Sequence, residues 1–173
     1  MQQRFKCIAR VEKTHGRKGE VVTVPAHGLP SLMRKGMEIA VVPPALKGSR
    51  WHKVLRVEGD DRAGSLVSLS GVGDIAGAQE LVGRYILAHV EDLPEDLALH
   101  DPRALIGREV NHVSGRALGA ISEVMCGPAN DVWVIEGELG EVLLPVIDQV
   151  VMDVPEQGAI TVDATGFVGK VDL

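Results

Sequence analysis

Aromatic residues are scarce in this chain. Phe5, Trp51, Tyr85, Trp133 and Phe167 are the only five among 173 residues, too few for the row of rings on which a single-strand binder stacks successive bases. Recognition of RNA shape and phosphate is untouched by that shortage. Cysteine is rarer still. Cys7 and Cys126 stand far apart with no second pair, so neither a zinc site nor a disulfide framework is indicated. Both are expected to be buried, inert thiols in a reduced, cytoplasmic setting. No run of ~18 apolar residues suggests a membrane span. The first residues, with Arg4, Lys6, Arg10, Glu12 and Lys13, lack the apolar stretch of a secretory signal. Catalytic signatures are missing as well. The six histidines (His15, His27, His52, His89, His100 and His112) are scattered, with no helical i, i+4 pair and no adjacent cysteine. There is no G-x-S-x-G elbow, no P-loop and no G-x-G-x-x-G opening a helix. The pairs Asp60-Asp61 and Glu95-Asp96 fall on turns, where solvated charge is the default. No enzyme, metal or cofactor is indicated.

What the chain does have is strands. Phe5, Cys7, Ala9 and Val11 alternate with Arg4, Lys6, Ile8 and Arg10, the period-two pattern of a half-buried strand. Further strands are predicted at 21–24, 37–42 (stopped by Pro43-Pro44), 50–57, 66–69 and 85–90. Along 50–57 both faces carry cations, so one face is wet or touches a partner. One helix is expected over 74–82, with Asp74 as N-cap, Ile75, Ala78 and Val82 on one face, and Gly83 as its stop. Six short strands and a small helix in about 90 residues read as a β-barrel. The acidic, proline-containing stretch around Glu91–Asp96 reads as a linker. Beyond it, strands at 105–113 and 117–125 flank the turn Ser114-Gly115-Arg116, followed by 132–135, 142–144, 150–154 and 160–162. The expected fold is all-β, with two small barrels in tandem and one or two short helices. Their bounds are 1–92 and 102–173, joined by a linker at 93–101.

Charge divides at the same place. Residues 1–92 hold 14 Lys and Arg against 10 Asp and Glu, a balance of +4. Residues 93–173 hold 4 against 14, a balance of −10. A basic half suits phosphate and an acidic half suits a basic protein. Within the basic half, Thr14-His15-Gly16-Arg17-Lys18-Gly19-Glu20-Val21 joins the first two strands. Two glycines three apart allow φ > 0, and His15, Arg17 and Lys18 ride on the same turn. The stretch is either a solvated turn or a rigid basic loop held towards a polyanion. Lys13, His15, Arg17 and Lys18 would converge with Arg50, His52, Lys53 and Arg56 if their strands are neighbours in the barrel.

Several motifs together resemble the RimM family of bacterial ribosome maturation factors. Ile8-Ala9-Arg10-Val11 through Thr14–Val21 is similar to the family's opening H-G-x-x-G-E-V signature, with Ala9 where the family usually has glycine. Gly71-Val72-Gly73-Asp74, Ala78–Gly83 and Asp92-Leu93-Pro94 resemble the end of its first domain. Leu105–Val110 and Gly115–Gly119 resemble the start of its PRC barrel, completed by Gly127–Val134 and Val142–Ile147. The resemblance implies a non-enzymatic factor that needs no cofactor. It implies binding to ribosomal protein S19 of the small-subunit (30S) head and help in processing 16S rRNA. On the charge pattern of the first barrel, the RNA-contacting residues would be Lys13, His15, Arg17, Lys18, Arg50 and Lys53. The family often carries an aromatic pair before the Leu-Ile-Gly of the second barrel, associated with the ribosomal-protein contact. Here that stretch is Leu99, His100, Asp101 and Arg103, without an aromatic. A cytoplasmic monomer without a membrane role is expected. The alternatives are a PRC-barrel adaptor that binds only protein and, by fold analogy alone, a flavin-reductase-like barrel enzyme.

Overall fold

A computed structural model describes residues 4–44, 48–59, 64–126 and 129–167. The centre of the Pro44–Ser49 loop, Asp60-Asp61, Gly127-Pro128 and the 169–173 tail lie outside them. The chain divides into two compact units, Met1–Glu95 and Asp96–Leu173.

In the first unit, Phe5–His15 (β1), Glu20–Pro25 (β2), Glu38–Val42 (β3), Trp51–Glu58 (β4), Ser65–Leu69 (β5) and Tyr85–His89 (β6) form a closed antiparallel barrel. Their order around it is β1-β2-β5-β4-β3-β6. The interior is filled by branched side chains from every strand: Ile8, Val11, Val21, Ile39, Val41, Val54, Val67, Leu69 and Ile86 are all buried. A helix, Ile75–Leu81 (α1), presents Ala78 and Leu81 to this core. Its start is set as the sequence indicates, with the Asp74 carboxylate accepting from the Gly77 N–H at 2.7 Å.

Two strands break their own alternation. In β1 the register against β6 slips between Cys7 and Ala9. A β-bulge there sends Ile8 and Ala9 inward in succession and leaves Cys7 only half-buried. In β4 the register against β5 slips between Val54 and Arg56. His52 and Val54 point in and Trp51 and Lys53 out, and the bulge then leaves Leu55 and Arg56 exposed in succession. Cys126 corrects the expectation of two buried thiols. It follows the last residue of a strand, in a loop, and is exposed.

The second unit holds a one-turn helix, Pro102–Leu105 (α2), and the strands Glu109–His112 (β7), Ala117–Met125 (β8), Val132–Gly137 (β9), Gly140–Pro145 (β10), Val151–Asp153 (β11) and Ile160–Val162 (β12). They form one six-stranded sheet in the order β10-β9-β8-β7-β12-β11. Only the β12–β7 pair is parallel. Trp133, Leu118, Ile121, Ile135, Leu144 and Ile160 anchor its core. The strand predicted at 105–113 is shorter than expected. Asp101 caps α2 by accepting from the Arg103 N–H at 3.1 Å, and Pro102 occupies the first helical turn, where a missing N–H is harmless. Leu105 thus ends a helix instead of opening a strand. The expected linker is also folded: Val90–Asp92 and Glu95–His100 are 3-10 turns, and Leu93 and Leu97 are buried.

Candidate nucleic-acid interface at one end of the N-terminal barrel

The β1–β2 hairpin is tighter than the sequence suggests. Both strands run up to the turn, pairing His15 with Glu20, so that only residues 16–19 bridge them. Gly16 and Gly19 take φ of 64° and 80°, the left-handed region glycine enters without strain. Their surroundings differ. A Cβ on Gly16 would meet nothing closer than the Glu20 carboxylate at 3.8 Å. A Cβ on Gly19 would lie 2.7 Å from the Val72 carbonyl oxygen and 2.8 Å from the Asp74 nitrogen. Gly19 is therefore where the hairpin seats against the loop between β5 and α1. Gly19→Val is expected to destabilise the barrel by about 2–3 kcal/mol, against about 1 kcal/mol for Gly16→Ala. Urea unfolding of the two variants checks the difference.

Seated this way, the turn holds His15, Arg17 and Lys18 in solvent, with Lys13 exposed on the strand below. The same 70–74 loop reaches β4. The Ser70 hydroxyl accepts from the Lys53 N–H at 2.7 Å, and its carbonyl accepts from His52 Nδ1 at 2.7 Å. The start of β4, with exposed Arg50 and Lys53, thus flanks the loop on its other side.

The condition for one continuous basic face fails. β1 and β4 are not neighbours but stand three strands apart in either direction around the barrel. The six candidate residues form two groups that share a barrel end, separated by the 70–74 loop. His52 and Arg56, grouped with them by sequence, drop out. His52 is inside the barrel, and Arg56 is paired with Glu58. Other arginines of the barrel are also tied down: Arg34 to the Asp92 carbonyl, and Arg84 to the carbonyls of Glu80 and Pro43. Among the described residues, no ion pair engages Arg17, Lys18, Arg50 or Lys53.

An aromatic group that sequence reasoning passed over lies on the adjoining wall. Trp51 stacks on His89 at 5.9 Å with 12° between the planes, and Phe5 lies 5.7 Å from Trp51 and 4.5 Å from His89. These residues come from β4, β6 and β1. The strand between β4 and β6 is β3, where the residue paired with Trp51 is the small Ala40. Trp51 remains 39% exposed. It also lines a cleft of about 210 Å³ at the barrel end, with Ser49, His52, Ser70, Gly71 and Glu80 among its walls.

In the second unit, the residues implied as a ribosomal-protein contact mostly serve the unit itself. Leu99 packs on the core, His100 Nδ1 meets the buried Asp131 carboxylate at 2.8 Å, and buried Asp101 caps α2. Arg103 alone among them is exposed. A different feature faces solvent. Glu109, Ala120, Glu136 and Glu141 fall in register across β7, β8, β9 and β10, and all three carboxylates are exposed. Like charges directly opposite one another are unfavourable.

Among the described residues, no cluster of histidine, cysteine or carboxylate could hold a metal ion, and no helix is long and apolar enough to cross a membrane. Ribosome maturation factor RimM of Thermobifida fusca is 32% identical over 90% of this chain and 92% of its own length. The protein of the same name from Limosilactobacillus reuteri is 29% identical over 90% and 94%. A Pseudomonas aeruginosa crystal structure described as a RimM 16S ribosomal RNA processing protein matches 92% of this chain and 96% of its own, at 23% identity and a TM-score of 0.44. Residues 6–93 match the RimM N-terminal domain and residues 102–172 match the RimM PRC barrel domain. With both domains matched in order, the chain belongs to the RimM family.

Proposed function

We propose that this chain is a cytoplasmic, monomeric, non-enzymatic ribosome maturation factor. In this reading it acts on the 30S head, where it assists 16S rRNA processing and binds ribosomal protein S19. The first barrel grips rRNA backbone through Arg17 and Lys18 on the hairpin and Arg50 and Lys53 on β4, with Lys13 and His15 behind them. The second unit captures the basic ribosomal protein, and together they hold nascent RNA in a shape that lets that protein dock. The observation that carries the RNA half is the set of cations around the 70–74 loop that have no ion pair among the described residues, in a chain whose relatives are named ribosome maturation factors. The protein half is supported by the row of Glu109, Glu136 and Glu141. Their mutual repulsion would be relieved by a lysine- or arginine-rich partner. Leu99, His100 and Asp101 suit a supporting role behind that contact, and Arg103 a place at its rim.

Binding through phosphate contacts releases counterions, so affinity should fall linearly on a log–log plot against salt. Fluorescence anisotropy with a 16S head-domain fragment across a salt series is expected to show that negative slope. Absence of binding even at low salt would leave the protein-only adaptor as the better reading.

A further inference from the structure

We infer that Trp51 is a stacking site for one unpaired base of single-stranded RNA. The inference rests on the reading of this barrel as RNA-binding. It adds to phosphate contact a position where a base is held.

The indole is held ready. His89 stacks on it and Phe5 lies beside both, while 39% of the residue stays in solvent. A large exposed aromatic whose plane is fixed by its neighbours loses little freedom when a second ring stacks on it. Among the described residues Trp51 is the one exposed ring on this wall braced by other rings; Tyr85 on β6 is exposed but touches no ring. Phe5 and His89 are half-buried, so the wall offers a place for one base and not a track for several. That agrees with the chain's poverty in aromatics.

Charge and hydrogen bonding favour a nucleotide over an apolar peptide. Arg50 precedes Trp51, and Lys53 follows it on the same exposed side of β4. Neither is in an ion pair among the described residues. Beside the indole opens the 210 Å³ cleft, below the ~300–1,000 Å³ typical of drug-sized ligand sites and suited to a single small ring system or its sugar. Two hydroxyls line it. Ser49 Oγ accepts from the Trp51 backbone N–H at 3.0 Å, and Ser70 Oγ accepts from the Lys53 backbone N–H at 2.7 Å. Because each oxygen already accepts, each retains its own proton to donate to a base carbonyl, a ribose oxygen or a phosphate. A helical duplex cannot use this site, since its bases are stacked on one another; a loop, bulge or end can.

Tryptophan emission tests the site directly. Trp133, the other tryptophan, is fully buried in the second unit and serves as an unquenched background. Titration of the full chain with a short single-stranded oligoribonucleotide at low salt is expected to quench the Trp51 emission. The same strand annealed to its complement should not. Trp51→Ala is expected to weaken single-strand binding about tenfold or more by anisotropy, and Trp51→Phe to retain part of it, with far-UV circular dichroism and urea unfolding reporting an intact first barrel in both. If the strand binds with a negative salt slope but leaves the emission unchanged, and Trp51→Ala binds as well as wild type, the stacking site is wrong while the phosphate-binding reading stands. If no RNA binds at low salt, both fall.

Discussion

Replacing Gly119 with alanine should cost the second unit about 3–5 kcal/mol, the sum of backbone strain and overpacking. Two features of this position coincide. Its φ is 134°, a value side-chain-bearing residues rarely adopt. A Cβ there would also fall inside the Glu136 carbonyl and 2.8 Å from the Gly137 Cα. The relation is mutual, because a Cβ on Gly137 would strike the Leu118 carbonyl. The obstacle on each side is main chain of the paired strands β8 and β9, which cannot swing away as a side-chain end could. Domains of this size are commonly stable by only about 5–15 kcal/mol, so the loss removes a large share of the unit's reserve. Gly115 provides the comparison. Its φ is also positive, 89°, but a Cβ there would meet nothing within 4 Å, and Gly115→Ala should cost only about 1 kcal/mol. Urea unfolding followed through Trp133, in a Trp51→Phe background, separates the two. Equal losses would mean that φ alone, and not the strand contact, sets the requirement.

Reversing charge at Arg17 and Lys18 should weaken rRNA binding on the order of 50-fold near ~0.1 M salt and lower the salt slope by about 1.8, two phosphate contacts' worth. Both side chains are exposed on a turn and have no ion pair among the described residues, so stability should change by less than about 0.5 kcal/mol. Arg56→Glu is the control. Arg56 is already engaged with Glu58, so its reversal should disturb that pair with little effect on RNA affinity. The prediction fails if the Arg17→Glu/Lys18→Glu double variant keeps the wild-type slope, or if Arg56→Glu weakens binding equally.

Local features of the fold were legible wherever a local rule governs them. Asp74 before an apolar helical face, Gly83 after it, and Ser114-Gly115-Arg116 between two alternating runs each set their element as read. Two misreadings have local causes as well. The bulges at Ile8 and Leu55 reset the inside–outside phase within a strand, and no residue type there announces them. Asp101-Pro102 did announce α2, as an N-cap followed by proline, but a helix of four residues is too short for periodicity to reveal. Leu99 and His100 were not legible because distant strands place them, Leu99 as core filler and His100 as the partner of buried Asp131, whereas Asp101 is set by its own local cap.

The candidate site was legible by residue but not by arrangement. That Gly19 needs to be glycine follows from the turn, yet its closest contact is the Val72–Asp74 backbone, far along the chain. Likewise, the separation of Lys13–Lys18 from Arg50 and Lys53 follows from the strand order β1-β2-β5-β4-β3-β6. That order arises from how the apolar faces pack together and leaves no mark in either segment. Trp51 was counted as one aromatic among five. It became a surface feature only once β4, β3, β6 and β1 were set side by side.

If the cationic barrel end attaches this chain to immature small subunits, that attachment requires Arg17 and Lys18. Co-sedimentation of the wild-type chain and the Arg17→Glu/Lys18→Glu variant through a sucrose gradient tests it most directly. The wild type is expected to travel with free small subunits and not with mature ribosomes, and the variant to remain at the top of the gradient. Equal co-sedimentation of both chains with free small subunits, or of the wild type with mature ribosomes alone, would contradict it.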